Sequence, residues 1–347
     1  MEVPDYDLPE AAIAQTPVEP RHSARLLDAL DPSGALVHRR VWDLPELIGP
    51  GDAVVVNDSR VIPARLALEK RSGGAAEVLL LEPDLQPDPG TEQTEHADPA
   101  GWTALVRPGR RLPPGTVLGL PGWAGRGDEP VLEIGARLDG GQRRIRFHQP
   151  IGPVLQRAGK MALPPYIHRE LSDPDRYQTV YADQPGSVAA PTAGLHLTAD
   201  LLEQVKARGA AVCSVDLAVG LATFRPVKSD RVENHVIHRE RYRVPESTWA
   251  ACRSARRVVA IGTTTVRALE TAASTSSLEG ESELFIRPGF SFSVVDVLLT
   301  NFHLPRSTLL LLLEAFTGPR WRDIYAAALA EGYRFLSFGD AMVVGRA

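Results

Sequence analysis

Cysteine is almost missing: Cys213 and Cys252 are the two thiols in 347 residues. So few exclude a disulfide framework, and their wide separation excludes the clustered Cys/His spacing of a zinc site, so both read as reduced packing residues. Long apolar runs are missing too. The leucine run Leu309-Leu310-Leu311-Leu312-Leu313 falls far short of the ~18 apolar residues that a membrane span needs. The opening residues include Glu2, Asp5 and Asp7 instead of a basic and then apolar secretion signal, so a cytoplasmic location is expected. Positive charge is not in excess: 38 Lys and Arg against 43 Asp and Glu give a net charge of -5. That balance excludes attachment to nucleic acid by overall charge and leaves local patches open. The sequence also has no Walker loop, no Gly-x-Ser-x-Gly elbow and no Gly-x-Gly-x-x-Gly turn after a strand. The commonest nucleotide hydrolase, esterase and dehydrogenase designs are thereby disfavoured.

What is present describes a globular chain. Hydrophobic residues make up 44% and charged residues 23%, and the length suggests about two domains. Short apolar or alternating runs at 61–68, 76–81, 102–106, 116–120, 131–138 and 143–147 are separated by turns such as Gly73-Gly74, Pro113-Pro114-Gly115 and Asp139-Gly140-Gly141. This pattern predicts a small all-β barrel or sandwich. On both sides the pattern changes to apolar strand, polar loop and helix, the alternation of an α/β fold. The expected architecture is therefore a discontinuous α/β domain of residues 1–61 and 151–347, with an all-β, barrel-like domain inserted at 62–150.

Charge is unevenly spread. Between 82 and 98 the acids Glu82, Asp84, Asp88, Glu92, Glu95 and Asp98 meet no Lys or Arg, which reads as a solvated loop. Between 101 and 150 eight arginines, among them Arg143, Arg144 and Arg146, face four acids. A solvated arginine face and a surface tracking a phosphate backbone both fit this excess.

Three strand-to-helix junctions gather polar residues. A buried strand at 258–261 runs into Gly262-Thr263-Thr264-Thr265 and a helix over 266–273. Glycine allows close approach of a ligand to backbone, and threonine hydroxyls with free N–H groups suit a carboxylate or phosphate; an ordinary threonine cap is the plainer alternative. A strand at 294–299 leads into Thr300-Asn301-Phe302-His303, and Pro305 and Ser307 then open a leucine-rich helix stopping at Gly318. Asn301 and His303 thus sit at the strand end where open α/β sheets bind ligands. The third junction, 186–196, holds Thr192, Gly194 and His196 ahead of a helix with Thr198 as its cap and Gly209 as its stop. Near the start, the strand 53–56 ends in the polar cluster Asn57-Asp58-Ser59-Arg60, either a network of caps and turns or a ligand site. His235 and His238 stand three apart without a His-Glu-x-x-His pattern, so hydrogen bonding or proton transfer is expected of them rather than metal ligation.

Nine segments in order carry a resemblance. They are Asp5-Tyr6-Asp7-Leu8-Pro9, Asn57-Asp58-Ser59-Arg60-Val61-Ile62-Pro63-Ala64-Arg65, Leu163-Pro164-Pro165-Tyr166-Ile167, Arg176-Tyr177-Gln178-Thr179-Val180-Tyr181-Ala182 and 186–196. Thr223-Phe224-Arg225-Pro226-Val227, 262–267, Leu299-Thr300-Asn301-Phe302-His303-Leu304-Pro305 and Phe338-Gly339-Asp340-Ala341-Met342 complete the set. Together they closely resemble the S-adenosylmethionine:tRNA ribosyltransferase-isomerase family of queuosine biosynthesis.

The resemblance implies an α/β catalytic domain with an inserted β-barrel. It also implies transfer and isomerisation of the ribosyl group of S-adenosylmethionine onto the aminomethyl group of a 7-deazaguanine in the tRNA anticodon, giving epoxyqueuosine-tRNA and releasing adenine and methionine. S-adenosylmethionine is then a co-substrate, tRNA carrying the deazaguanine precursor is the partner, and no metal, prosthetic group or membrane is called for.

Such chemistry needs a base to remove a proton beside the sulfonium and an acid to assist adenine. Asp58, His196, His303 and Asp340 are the candidate proton handlers, with Asp58 and His196 preferred. Thr192, Gly194, Gly262, Thr263, Thr264, Arg267 and Asn301 are expected around S-adenosylmethionine, its carboxylate meeting N–H donors or Arg267. Arg60, Arg225, His235, His238, Arg143, Arg144 and Arg146 are expected on the tRNA side.

The chain departs from the family pattern at His22, where an acid is usual, at Ala222, where glycine is usual, and at Leu197, where phenylalanine is usual. These departures keep open a relative acting on a free deazapurine or another small amine. A noncatalytic RNA- or adenosyl-binding protein is the alternative from another class, against which the intact His196, Asp58, Asn301 and Asp340 set weighs.

Overall fold

The computed structural model describes residues 3–84, 101–124, 129–220, 232 and 239–347. The chain divides into two compact units, Met1–Val61 with Pro164–Ala347, and Ile62–Leu163.

The smaller unit is a closed antiparallel barrel. Its strands, in spatial order, are Arg65–Lys70, Ala75–Pro83, Gly101–Arg107, Arg143–Phe147, Leu132–Arg137 and Thr116–Gly119. The last pairs back onto the first through Glu69 with Gly119 and Lys70 with Leu118, which removes the open sheet edges. Alternation fills the interior: Val78, Leu80, Ala104, Ile134 and Ile145 are fully buried while their sequence neighbours face outward. The run expected at 61–68 is two strands, not one. Pro63, which has no N–H to give a ladder, separates Ser59–Val61 of the larger unit from the barrel strand Arg65–Lys70. The unit also returns later than expected, at 163 instead of 150. Gly159–Lys160, which follows helix Ile151–Ala158, pairs with Leu66 and Arg65 and so adds that stretch to the barrel unit.

The larger unit is built on a nine-stranded mixed sheet. Ala211–Leu217, Asp52–Asn57, Arg257–Ile261 and Val297–Asn301 are neighbours in that order and all parallel. Asp52–Asn57 is buried along its whole length, as a central parallel strand must be, and Ala53-Val54-Val55-Val56 reads as a continuous apolar run for that reason. Ala341–Gly345 then runs antiparallel to Val297–Asn301, Arg25–Ala29 lies parallel to it, and Val37–Arg40 closes that side. Registers Asn301 to Ala341, Leu26 to Ala341 and Arg25 to Arg40 bring different kinds of strand end to one edge. The carboxyl ends of the parallel strands, the start of Ala341–Gly345, the start of Arg25–Ala29 and the end of Val37–Arg40 all lie there.

Helices pack on this sheet as the punctuation predicts. Ala199–Ala207 is capped by Thr198, whose Oγ1 accepts the Leu201 N–H, and Thr308–Thr317 by Ser307, whose Oγ accepts that of Leu310. Among the described residues no helix is long and apolar enough to cross a membrane, and no group of three His, Cys, Asp or Glu is placed to hold a metal ion.

Candidate active site

The site lies at the carboxyl edge of the parallel strands. Strand Arg257–Ile261 ends at Gly262, whose φ of 92° is open to glycine and strained for any side chain. That turn starts helix Thr263–Thr275 with no side-chain cap, leaving its first N–H groups without a helical acceptor and carrying the positive end of the helix dipole. From the next strand, Asn57 reaches the same turn: its Nδ2 donates to Thr264 Oγ1 at 3.3 Å and to the Leu217 carbonyl at 3.0 Å.

Strand Val297–Asn301 supplies the opposite wall. Asn301 is the hub of a buried chain in which Thr192 Oγ1 donates to Asn301 Oδ1 at 3.0 Å and Asn301 Nδ2 donates to His196 Nε2 at 3.0 Å. The acceptor role of Nε2 leaves the proton of neutral His196 on Nδ1. Burial, followed by the charges of Arg176 and Arg334, pushes the His196 imidazole down to about 4, so it is neutral near pH 7. His303 is held by its backbone, its N–H donating to Tyr325 Oη at 2.8 Å and its carbonyl accepting from Tyr6 Oη. Its Nε2 lies 3.2 Å from Thr300 Oγ1, and burial pushes the ring down to about 3.

Thr192, Gly262, Thr263, Thr264, Asn301 and His303 line one pocket, joined by Tyr166 and Ser337, and it is open to solvent. Among the described residues that line it there is no Asp, Glu, Lys or Arg. A pocket with an uncharged wall, two neutral histidines in or behind it and one helix amino terminus suits a largely apolar ligand with an anionic tip.

Six residues expected at the site are therefore brought together, and His196 stands directly behind Asn301. Others are placed elsewhere, each for a physical reason. Asp58 follows Asn57 and is not part of the lining; it meets Ser214, Asp216 and Asp183. Burial first, then Asp216 and Asp183, raises its carboxyl above the ordinary range. Asp340 is occupied by backbone: its Oδ1 accepts the Arg25 N–H and its Oδ2 the Arg334 N–H, both at 2.8 Å. Gly194 is a packing glycine, since a Cβ there would stand 2.0 Å from Tyr181 Oη. Arg267 is committed to a buried ion pair with Glu240, which also accepts the Gly220 N–H.

Arg60 is exposed and donates to the Ala182 carbonyl. In the barrel, Arg143 shares the inward face with Ile145 and Phe147 and is 6% exposed, bonded to the Gly109 carbonyl, so it is not available to solution. Arg144 pairs with Asp84 at the surface and Arg146 faces outward. Arg225, His235, His238 and the Ala222 departure lie outside the described residues.

Sequence reasoning left Asn57 between a network of caps and a ligand site and assigned neither Tyr166 nor Ser337 to the site. Tyr166 Oη and Ser337 Oγ are 2.7 Å apart although 171 positions separate them in the chain; Tyr166 lies within one of the nine segments and Ser337 directly precedes another.

The sequence profile of the queuosine biosynthesis protein family matches residues 2–344. The chain belongs to that family. The protein named S-adenosylmethionine:tRNA ribosyltransferase-isomerase from Moorella thermoacetica is 47% identical over 353 residues, covering 98% of each chain. The protein of the same name from Thermus thermophilus is 47% identical over 356 residues, covering 99% of each. The crystal structure of S-adenosylmethionine tRNA ribosyltransferase from Thermotoga maritima superimposes with a TM-score of 0.53 at 35% identity, covering 98% of this chain and 99% of that one. The resemblance carried by the nine segments is thus borne out along nearly the whole chain, together with the α/β fold and inserted barrel it implied. His22 and Leu197 both lie within the residues that the family profile matches.

Proposed function

We propose that this chain transfers and isomerises the ribosyl group of S-adenosylmethionine onto a 7-aminomethyl-7-deazaguanine in the tRNA anticodon, releasing adenine and methionine. The observation that carries the reading is the uncharged pocket between Gly262 and His303, in a chain of the queuosine biosynthesis family. A sulfonium nucleoside is a cation with a flat apolar base and a carboxylate. The N–H groups that open helix Thr263–Thr275 meet the carboxylate, a contact of about 0.3–1 kcal/mol at such a terminus. Thr192 and Asn301 offer hydroxyl and amide groups to the ribose or the base.

His303 is the proton acceptor in this reading, in preference to Asp58 or His196. It lines the pocket, and its neutral ring keeps a lone pair without repelling the sulfonium; an imidazolium would have no lone pair to offer and would repel it. The positive sulfur acidifies the adjacent carbon and so lowers the demand on a buried, weakly basic imidazole. His196 acts through Asn301, fixing which way the amide points and hence which group it presents to Thr192 and the ligand.

The test is incubation of the purified protein with S-adenosylmethionine and precursor tRNA, with adenine and methionine followed by mass spectrometry. Release of both with tRNA is the expected result. Release with the free deazapurine alone moves the acceptor to a small molecule, and no release with either removes the enzymatic reading.

A further inference from the structure

Beyond the pocket, the same sheet edge carries an exposed aromatic group flanked by a guanidinium and an imidazole. Trp42 follows the end of strand Val37–Arg40 in the short turn Val41–Asp43 and is 46% exposed, one of three large hydrophobic side chains open to solvent among the described residues. The Arg40 guanidinium lies over its ring, 5.7 Å from the centroid, and the His22 ring stands edge-on at 6.1 Å. A buried tryptophan is explained by packing; one left half open between two nitrogen-rich side chains is not.

The guanidinium beside it is not paired with a carboxylate among the described residues: Arg40 Nη1 donates only to the Ser23 carbonyl. Arg21, by contrast, donates to the carbonyls of Gln178 and Asp175 and lies among the charges of Glu19, Asp173 and Asp175. His22 Nδ1 is buried without a hydrogen-bond partner. Asp43 accepts the Arg40 backbone N–H, and Arg39 is neutralised by Asp28 and Glu46.

Position adds to chemistry. The turn Arg21–Ser23 packs on Thr192–His196, the segment that carries Thr192 into the pocket wall. Three strand spacings separate Val297–Asn301 from Val37–Arg40, about 14 Å along the edge, roughly the span of a few nucleotides.

We propose that Trp42, Arg40 and His22 form a stacking platform for an unpaired base of the RNA whose modified nucleotide enters the pocket. The proposal rests on the tRNA reading above. Aromatic faces accept any base, and an adjacent guanidinium adds attraction to ring and phosphate alike, so the platform holds the strand without reading its sequence.

The experiment compares wild type with Trp42→Ala, Trp42→Phe and Arg40→Gln in the full chain, using an anticodon stem-loop RNA, heparin as a polyanion without bases, and steady-state turnover with precursor tRNA. Trp42→Ala is expected to weaken stem-loop binding and raise KM for tRNA about tenfold. Heparin affinity, KM for S-adenosylmethionine and kcat are expected to stay within twofold, and Trp42→Phe to restore most of the loss. Stem-loop affinity of Trp42→Ala within twofold of wild type overturns the platform. Should that variant fold poorly, Arg40→Gln decides: a threefold loss for RNA supports the proposal and an unchanged value overturns it. A wild-type protein that releases no adenine with tRNA counts against the catalytic reading alone, because the stem-loop titration is read independently of turnover.

Discussion

The two edges of the central sheet are built on opposite electrostatic plans. At the amino edge of the parallel strands, Asp52 is fully buried and gripped by Arg257 Nη2 at 2.6 Å, Arg256 Nη2 at 3.0 Å and the Gly49 N–H at 3.0 Å. Burial pushes its carboxyl up, but the hydrogen bonds from Arg257 and Gly49 and the two arginine charges outweigh that and hold it below the ordinary range. Asp296 on the same edge accepts the Val258 N–H and pairs with Arg346. The carboxyl edge, by contrast, buries two histidines as neutral rings and lines its pocket with hydroxyls, an amide and a helix terminus. One edge satisfies its charges internally and is finished when folded; the other leaves polar groups whose natural partner comes from outside. The contrast separates stability from function along a single sheet.

The sharpest way to break this contrast is His303→Gln. Adenine release is expected to fall 10²- to 10⁴-fold while stem-loop RNA binding persists, the range for removal of a general base. Full activity in that variant would return the role to another group.

Titration comes next. Both histidines have folded-state values below the unfolded value of 6.5, so their contribution is complete above pH 6.5 and is lost as pH falls toward about 4 for His196 and about 3 for His303. Each costs about 2 kcal/mol at pH 5, since a tenfold difference in proton affinity between the folded and unfolded chain is about 1.4 kcal/mol. Denaturant unfolding at pH 7 and pH 5 should reveal the loss, and His303→Gln should remove roughly half of it. The Asp52 contribution runs in a lower window, present above 3.8 and lost below it, so the two edges titrate apart.

Asp52→Asn is expected to lower unfolding free energy by about 2 kcal/mol, the scale of hydrogen bonds to a charged group, with kcat/KM little changed. An equal loss of activity and stability would erase the distinction between the edges. The most local effect belongs to Gly262→Ala. Its added Cβ meets Ala193 Cβ at an ordinary 3.5 Å, so the cost is backbone strain of about 1–3 kcal/mol in a region that glycine alone adopts freely, read as a raised KM for S-adenosylmethionine.

Local pattern made most of the architecture legible. Alternation at 143–147 and its neighbours located the barrel strands, and Thr198, Ser307 and Gly318 marked helix ends that the structure keeps. The junctions at Gly262 and Asn301 were legible as well, because glycine and polar residues after a buried strand have few structural uses. What escaped depends on parity or on distance. Asn57, the last residue of its strand, bonds to Thr264 of the pocket wall, whereas Asp58 follows the strand and meets Ser214, Asp216 and Asp183, and the cluster by itself does not say which of its members turns which way. Strand parity turns Arg143 inward with Ile145 and Phe147. Arg267 looked free until Glu240, 27 positions away, took it, and Asp340 looked catalytic until backbone N–H groups from positions 25 and 334 claimed both oxygens.

The barrel interrupts the chain just after Asp52–Asn57, and that placement bears on synthesis. Both lateral partners of this strand, Ala211–Leu217 and Arg257–Ile261, emerge from the ribosome only after the whole barrel has been made. A stretch of three consecutive valines must therefore wait, solvated and unpaired, for about ten seconds at ordinary elongation rates. Nascent chains of this protein should thus be chaperone clients at the stage when the barrel is complete and the sheet is not.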